Sequence, residues 1–240
     1  MRKIFIDGGA NKGQSTKSFI ERYSEFNFDD TWSSEDWEIY MIEPQTDCSE
    51  LINETKSKYD KHNIDFLLNA IWINNDDIQI SSNAECTESA SVVYKKWKNQ
   101  SVKGLHLSEW IRTNFDKDDY IFLKLDIEGA EYDVIEDLYK TGTLSYINEI
   151  HGELHGIKKG YNINDDLKLI ERLKKYDLKL WSWNGSNMEK PIRGNYYRVE
   201  GRKSAFERWE KMDRWDLKPD FKPLEKYENN YEEWYSENME

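Results

Sequence analysis

Apolar residues recur along this chain in two alternating rhythms. Short apolar runs cover Lys3 to Asp7, Ile39 to Ile42, Ile64 to Trp72, Tyr120 to Leu125, Ile147 to Leu154 and Leu178 to Trp183. Their length and β-branched or aromatic content predict strands. Between them, helical spacing predicts helices over Ser15–Tyr23, 46–62, Leu107–Asn114, Tyr132–Tyr139 and Asp165–Tyr176. Leu51, Ile52 and Tyr59 form the predicted inner face of the second helix, and Gly142 closes the fourth. Ile78 to Ser81 is expected to pair nearby, while residues 83–103, with Trp97, show no clean period. Residues 24–37 are polar and aromatic and read as an exposed connection. Strands alternating with helices imply an α/β fold, with a mostly parallel twisted sheet, right-handed crossovers and flanking helices. There is no internal repeat. From Trp209 onward the chain is rich in Trp, Tyr and Glu and carries Pro219 and Pro223. The expected division is therefore a domain over residues 1–200 and an aromatic, acidic appendage over residues 201–240.

Composition narrows the classes. Aromatic residues make up 14% of the 240, which is not a disordered composition. The net charge of −13, with no long Lys/Arg block, argues against nucleic acid or an anionic membrane surface as partner. No run approaches the ~20 apolar residues of a membrane span. A core strand within three residues of Met1 leaves no room for a cleavable signal, so the expectation is a soluble cytoplasmic protein. Cys48 and Cys86 read as two free thiols in a reducing compartment.

The first chemistry lies in Asp7-Gly8-Gly9-Ala10-Asn11-Lys12-Gly13-Gln14, a glycine-rich turn between a strand and a helix. Such a turn lets a ligand approach backbone at a helix N-terminus. Gly8 and Gly13 have the spacing of a phosphate-binding loop, but Gln14 stands where that loop needs lysine. Gly9 and Gly13 are one residue too far apart for the dinucleotide fingerprint. Asp7, Gly9 and Gly13 do satisfy the Asp-x-Gly-x-x-x-Gly turn of methyltransferases, with a plain tight turn as the bland alternative. Glu43, past the second strand, stands where Rossmann-like folds place an acid for ribose hydroxyls. It lies 30 residues after Gly13 rather than about 20, so residues 24–37 read as an insertion.

The most specific stretch is Lys124-Leu125-Asp126-Ile127-Glu128-Gly129-Ala130-Glu131, which crowds carboxylates at the end of a hydrophobic strand. Open α/β sheets bind ligands at that rim. The bland reading is that Asp126 caps the next helix and Glu131 sits favourably in its first turn. Together, Phe5 to Gly13, Glu43-Pro44 and Lys124 to Glu131 resemble the FkbM-type methyltransferases, in matching order and over roughly residues 3–185. The resemblance implies a Rossmann-like class I methyltransferase fold, S-adenosylmethionine as cofactor, and methyl transfer to oxygen, often on a sugar or polyketide hydroxyl. On that basis the cofactor candidates are Asp7, Gly8, Gly9, Ala10, Asn11 and Gly13 in the turn. Glu43 joins them, with Asn69 and Ala70 on the third strand, and with Asp126, which would also face the reaction. With a strand predicted at Lys3, the N-terminal helices that often cover the substrate in that family are expected to be missing, and residues after 200 match none of its motifs.

Glu149-Ile150-His151-Gly152-Glu153-Leu154-His155 places Glu149, His151, Glu153 and His155 on one face if the strand keeps its period of two. Three readings stay open. His151 or His155 is a general base; or Asp126, Glu153 and His155 hold Mg²⁺ or Mn²⁺ against substrate oxygens; or the group is a hydrogen-bonded polar cluster. Glu128, Trp183 and Tyr196 are substrate candidates, the last two with Tyr197 because flat aromatic faces suit sugars; Trp181 is better read as packing. The tail aromatics are expected to wrap the domain or to form a dimer contact. The function these readings favour is O-methylation of a sugar in a glycan or glycoconjugate. Set against it are a non-catalytic binding module on the same fold, a nucleotide-dependent enzyme, and methyl transfer to a small molecule, protein or nucleic acid. The Asn/Asp-Pro-Pro-Tyr/Phe motif of amine methylation is absent, which favours oxygen.

Overall fold

The computed structural model describes residues 1–182 apart from 24–25, 27, 83–84, 87–89, 94–97, 156–162 and 179. The elements run β1 (Lys3–Gly8), α1 (Gln14–Glu21), β2 (Trp37–Ile42), α2 (Ser49–Lys58), β3 (Asn63–Leu67), β4 (Ala70–Trp72), β5 (Asp77–Ser82), β6 (Lys98–His106), α3 (Leu107–Asn114), β7 (Tyr120–Leu125), α4 (Glu131–Lys140), β8 (Glu149–Gly152), α5 (Ile163–Lys174) and β9 (Leu180–Ser182). Six strands form one sheet in the order β3-β2-β1-β7-β8-β9, and each neighbouring pair is parallel. The order reverses between β1 and β7, which makes that junction the place where an open α/β sheet receives a ligand.

Central parallel strands are covered on both faces, so they read as continuous apolar runs. In β1, Ile4 and Ile6 join a core with Ile111 of α3, Val134 and Leu138 of α4 and Leu173 of α5. Phe5, pointing the other way, joins Phe19 of α1, Ile52 of α2 and Phe122 of β7. Helices α1 and α2 therefore cover one face and α3 to α5 the other. The register also aligns the strand ends. Leu67, Ile42, Gly8, Leu125, Gly152 and Ser182 lie in one row, so the exits of all six strands share a rim.

Several expectations are corrected. The run Ile64 to Trp72 is two strands: the Asn69 N–H turns back to the Leu67 carbonyl (2.9 Å), and β4 leaves for a second, three-stranded sheet ordered β4-β6-β5. The end of the stretch without a period belongs to Lys98–His106, the central strand of that sheet. Residues 24–37 are not merely an exposed connection, because Phe26 and Trp37 are buried and Phe28 packs on Trp37 with ring centroids 4.8 Å apart. These rings pack around Phe19, whose ring stacks on Phe5 at 4.3 Å. On α2, Ile52 is buried but Leu51 is 37% exposed. Cys48 and Cys86 are joined in a disulfide across 38 residues instead of being free thiols. The expected appendage over residues 201–240, and Trp183, Tyr196 and Tyr197, lie outside the described residues.

Candidate active site

A cavity of about 470 Å³ opens at the rim between β1 and β7. Its first wall is the glycine turn. Gly9 takes φ +75° and closes against β7: a Cβ there would stand 1.9 Å from the Asp126 carbonyl. The Gly9 and Ala10 N–H groups both donate to the Ile42 carbonyl, at 3.0 and 3.1 Å. The Asn11 N–H donates to Glu43 Oε2 (2.9 Å), with Asn11 in the left-handed region that asparagine tolerates. The second oxygen of Glu43 accepts from the backbone and side-chain amides of Gln45, at 3.0 and 2.9 Å. Burial raises the Glu43 pKa against the lowering pull of those hydrogen bonds. A carboxylate offers about four acceptor sites, and these three bonds leave room for a hydroxyl donor on the cavity side.

Asp7 and Gly13 are placed differently from the reading as ligand contacts. Asp7 is fully buried beneath the turn, where it accepts from Thr16 Oγ1 (2.8 Å) and faces the Lys124 ammonium (3.2 Å). Gly13 begins α1 at φ +84°, and a Cβ there would strike Met41 and Thr55, each at 2.9 Å; its role is to seat α1 on β2 and α2. Gly8 and Asn69 do not line the cavity either. Gly9, Ala10, Asn11, Glu43, Ala70 and Asp126 line the cavity.

The second wall is the acidic turn after β7. Asp126 donates its N–H to the Gly8 carbonyl (3.1 Å), stitching the two turns together. Glu128 holds φ +56° and lines the cavity. Its carbonyl accepts from Ser91 Oγ (2.6 Å), which draws the segment carrying Ala90 and Val92 over the opening. Glu131, not Asp126, satisfies the start of α4: its oxygens accept from the Ile127 and Gly129 N–H groups, both at 2.9 Å. This buried carboxylate thereby fixes the conformation of the acidic turn.

The two histidines separate. Strand β8 ends at Gly152, where a Cβ would lie 1.9 Å from the Leu125 carbonyl, so the chain leaves the sheet and the period of two stops. His151 is 1% exposed, packs edge-on against Phe122 at 4.4 Å and pairs with Glu149 at 3.2 Å, on the aromatic face of the sheet. It does not line the cavity. His155 and Glu153 do. His155 Nδ1 meets Glu131 at 2.9 Å, while Nε2 stands 3.9 Å from Asp126, 3.8 Å from Glu128 and 3.7 Å from Glu153. Burial disfavours its charge, but Glu131 by charge and hydrogen bond, then Asp126 and Glu153, outweigh it and lift the pKa to about 9. At neutral pH His155 is an imidazolium whose Nδ1–H donates to Glu131 while its Nε2–H faces the three other carboxylates.

That state bears on the metal reading. Ligand atoms of Asp126, Glu131 and His155 lie within 4.8 Å of one another, a different set from Asp126, Glu153 and His155. Both Glu131 oxygens are already engaged by backbone N–H groups, and His155 carries its own proton. These donors fit a caged imidazolium better than Mg²⁺ or Mn²⁺.

Other cavity residues escaped the sequence reading. Gln45 and Pro44 follow Glu43 directly, and Ser15 follows the turn; their nearness to motif residues was the available signal. Ile80 lies in the run Ile78 to Ser81, expected only to pair nearby, and Val92 in the stretch without period, so neither gave one. Lys124 was visible only as one letter of a motif, yet it lines the cavity with its side chain 1% exposed.

The topology defines a Rossmann-like α/β protein with a cavity at the switch point, at the carboxyl ends of its strands. Residues 7–179 match the Methyltransferase FkbM domain, and the chain belongs to that family of methyltransferases. Among solved structures it is similar to the methyltransferase FkbM from Methylobacillus flagellatus KT, at 16% identity and a TM-score of 0.36. That match covers 58% of this chain and 30% of the other, so the chain spans under a third of that relative's length. No curated protein matches it. Among the described residues, no helix is long and apolar enough to cross a membrane.

Proposed function

We propose that the protein is an S-adenosylmethionine-dependent O-methyltransferase whose acceptor is a hydroxyl of a sugar in a glycan or glycoconjugate. The observation that carries this reading is the joining of the glycine turn and the acidic turn around one cavity. Gly9, Ala10, Asn11 and Glu43 form the side that would hold the cofactor. Asp126, Glu128, Glu153 and His155 form the side that would meet the acceptor. When bound, the cofactor supplies an electrophilic methyl group. What remains for the protein is to orient a hydroxyl and remove its proton. With His155 already protonated, Asp126 is the residue to accept that proton, and the imidazolium holds Asp126, Glu128 and Glu153 together. Ile80, Ala90, Val92 and Ile127 add apolar surface to a cavity that carries these charges, a mixture suited to a sugar ring with C–H faces and hydroxyl edges. The test is transfer of labelled methyl groups to a panel of glycans, small phenols, peptides and RNA. Label on a glycan supports the proposal; label only on phenols or RNA rejects the substrate class, and absence of methyl-donor binding rejects the cofactor.

A further inference from the structure

Lys124 sits at the centre of the site without a role in the chemistry above. Its ammonium is fully enclosed and directs its donors at the Gly8 carbonyl (3.2 Å), the Gly9 carbonyl (2.9 Å) and Asp7 Oδ1 (3.2 Å), with Asp126 Oδ2 3.9 Å away. Burial opposes its charge, and Asp7 followed by Asp126 restores it, so that the ammonium is held above its ordinary pKa. Asp7 is in turn gripped by Thr16 of α1. A line of contacts thus runs from α1 through Asp7 and Lys124 to both turns that line the cavity. The Gly8 and Gly9 carbonyls point at the ammonium, while the Gly9 and Ala10 N–H groups point at Ile42. With both ends of these peptides anchored, the glycine turn has one orientation available.

We infer that Lys124 is a positioning residue that locks the glycine turn and the acidic turn into one preorganised frame, so that cofactor and acceptor sites hold a fixed relation. Lysine suits this position because it is a compact point charge with three donors on a flexible stem, whereas a planar guanidinium would not reach two successive carbonyls and a carboxylate. Without it the Gly9 carbonyl loses its partner in the interior, and a buried acceptor left unpaired drives a peptide to rotate toward water.

This inference rests on the methyltransferase reading only for its ligand, and the experiment separates the two. Lys124→Met alone would strand the Asp7 carboxylate, and an unpaired buried charge is a cause of unfolding. Asp7→Asn alone leaves the ammonium its contacts with Asp126 and the Gly8 and Gly9 carbonyls, so the informative variant is Asp7→Asn with Lys124→Met, compared with Asp7→Asn and the parent protein. Amide hydrogen exchange is read at Gly9, Ala10, Asn11 and Asp126, and binding of S-adenosylhomocysteine is read by calorimetry. The expected result is a double variant with the melting temperature of Asp7→Asn, unchanged exchange at Phe5 and Phe122 in the strand centres, and exchange at the turn amides at least about tenfold faster. Cofactor-product affinity should fall about tenfold in the double variant and little in Asp7→Asn. Turn amides that exchange as in Asp7→Asn would overturn the role of Lys124, whatever the ligand does. A parent protein that fails to bind S-adenosylhomocysteine would overturn the cofactor assignment, while the exchange data still decide the positioning role.

Discussion

Replacing Gly9 by alanine tests the closest backbone approach in the site. Two costs combine. The residue holds φ +75°, and a left-handed conformation costs a non-glycine residue about 1–2 kcal/mol. The new Cβ would also lie 1.9 Å from the Asp126 carbonyl oxygen, where ordinary contact begins at 3.4 Å, so the turns must part by 1.5 Å. That opening breaks the Asp126 N–H to Gly8 bond and strains the two bonds from Lys124. At about 1 kcal/mol for each of two or three bonds, the whole loss is about 3–5 kcal/mol. This is a large part of the roughly 5–15 kcal/mol that holds a domain together. Gly142 is the internal control: it holds φ +71°, but a Cβ there meets nothing within 4 Å. Gly142→Ala should therefore show the conformational cost alone, about 1–2 kcal/mol. Urea unfolding followed by circular dichroism measures both. Equal losses in the two variants would refute the argument, because they would mean that the turns separate at no cost.

Other outcomes follow from the same geometry. The folded pKa of His155 is raised from 6.5 to about 9. Its contribution, about 3 kcal/mol at 1.36 kcal/mol per unit, is complete below pH 6.5 and is lost as pH rises to about 9. Unfolding free energies at pH 6 and pH 9.5 should therefore converge in His155→Gln and diverge in the parent; parallel profiles would contradict the caged imidazolium. The disulfide closes a 38-residue loop, for which chain entropy gives about 4 kcal/mol. Cys86→Ser should lower stability by up to that amount, and a reductant should then have no further effect on it. Asp126→Asn should lower methyl transfer about 10²–10⁴-fold, the usual size of lost acid–base help, with little change in binding of S-adenosylhomocysteine. Activity should survive a chelator; its loss, with recovery on adding Mg²⁺ or Mn²⁺, would restore the metal reading.

Sequence alone determined what depends on near neighbours. The strand Tyr120–Leu125 and the helix Leu107–Asn114 have the predicted ends, because continuous burial and a 3.6-residue stripe are written locally. The alternation of elements yields the parallel α/β sheet, and the order of glycine turn, Glu43 and acidic turn places the cavity at their common rim. Tertiary structure decided whatever depends on register between distant segments. His151 and His155 stood on one predicted face, but the close crossing of Gly152 with Leu125 ends the strand between them, sending one into the aromatic core and the other to the cavity. Asp7 reads as a ligand contact until its pairing with Thr16 and Lys124 is seen. Lys124 itself lies in an apolar strand buried on both faces, where no period marks which way a side chain points, so its partners across the β1–β7 junction could not be inferred. The same holds for Cys48 and Cys86: spacing says nothing about whether two thiols 38 residues apart meet, since their distance is set by the tertiary fold of the chain between them.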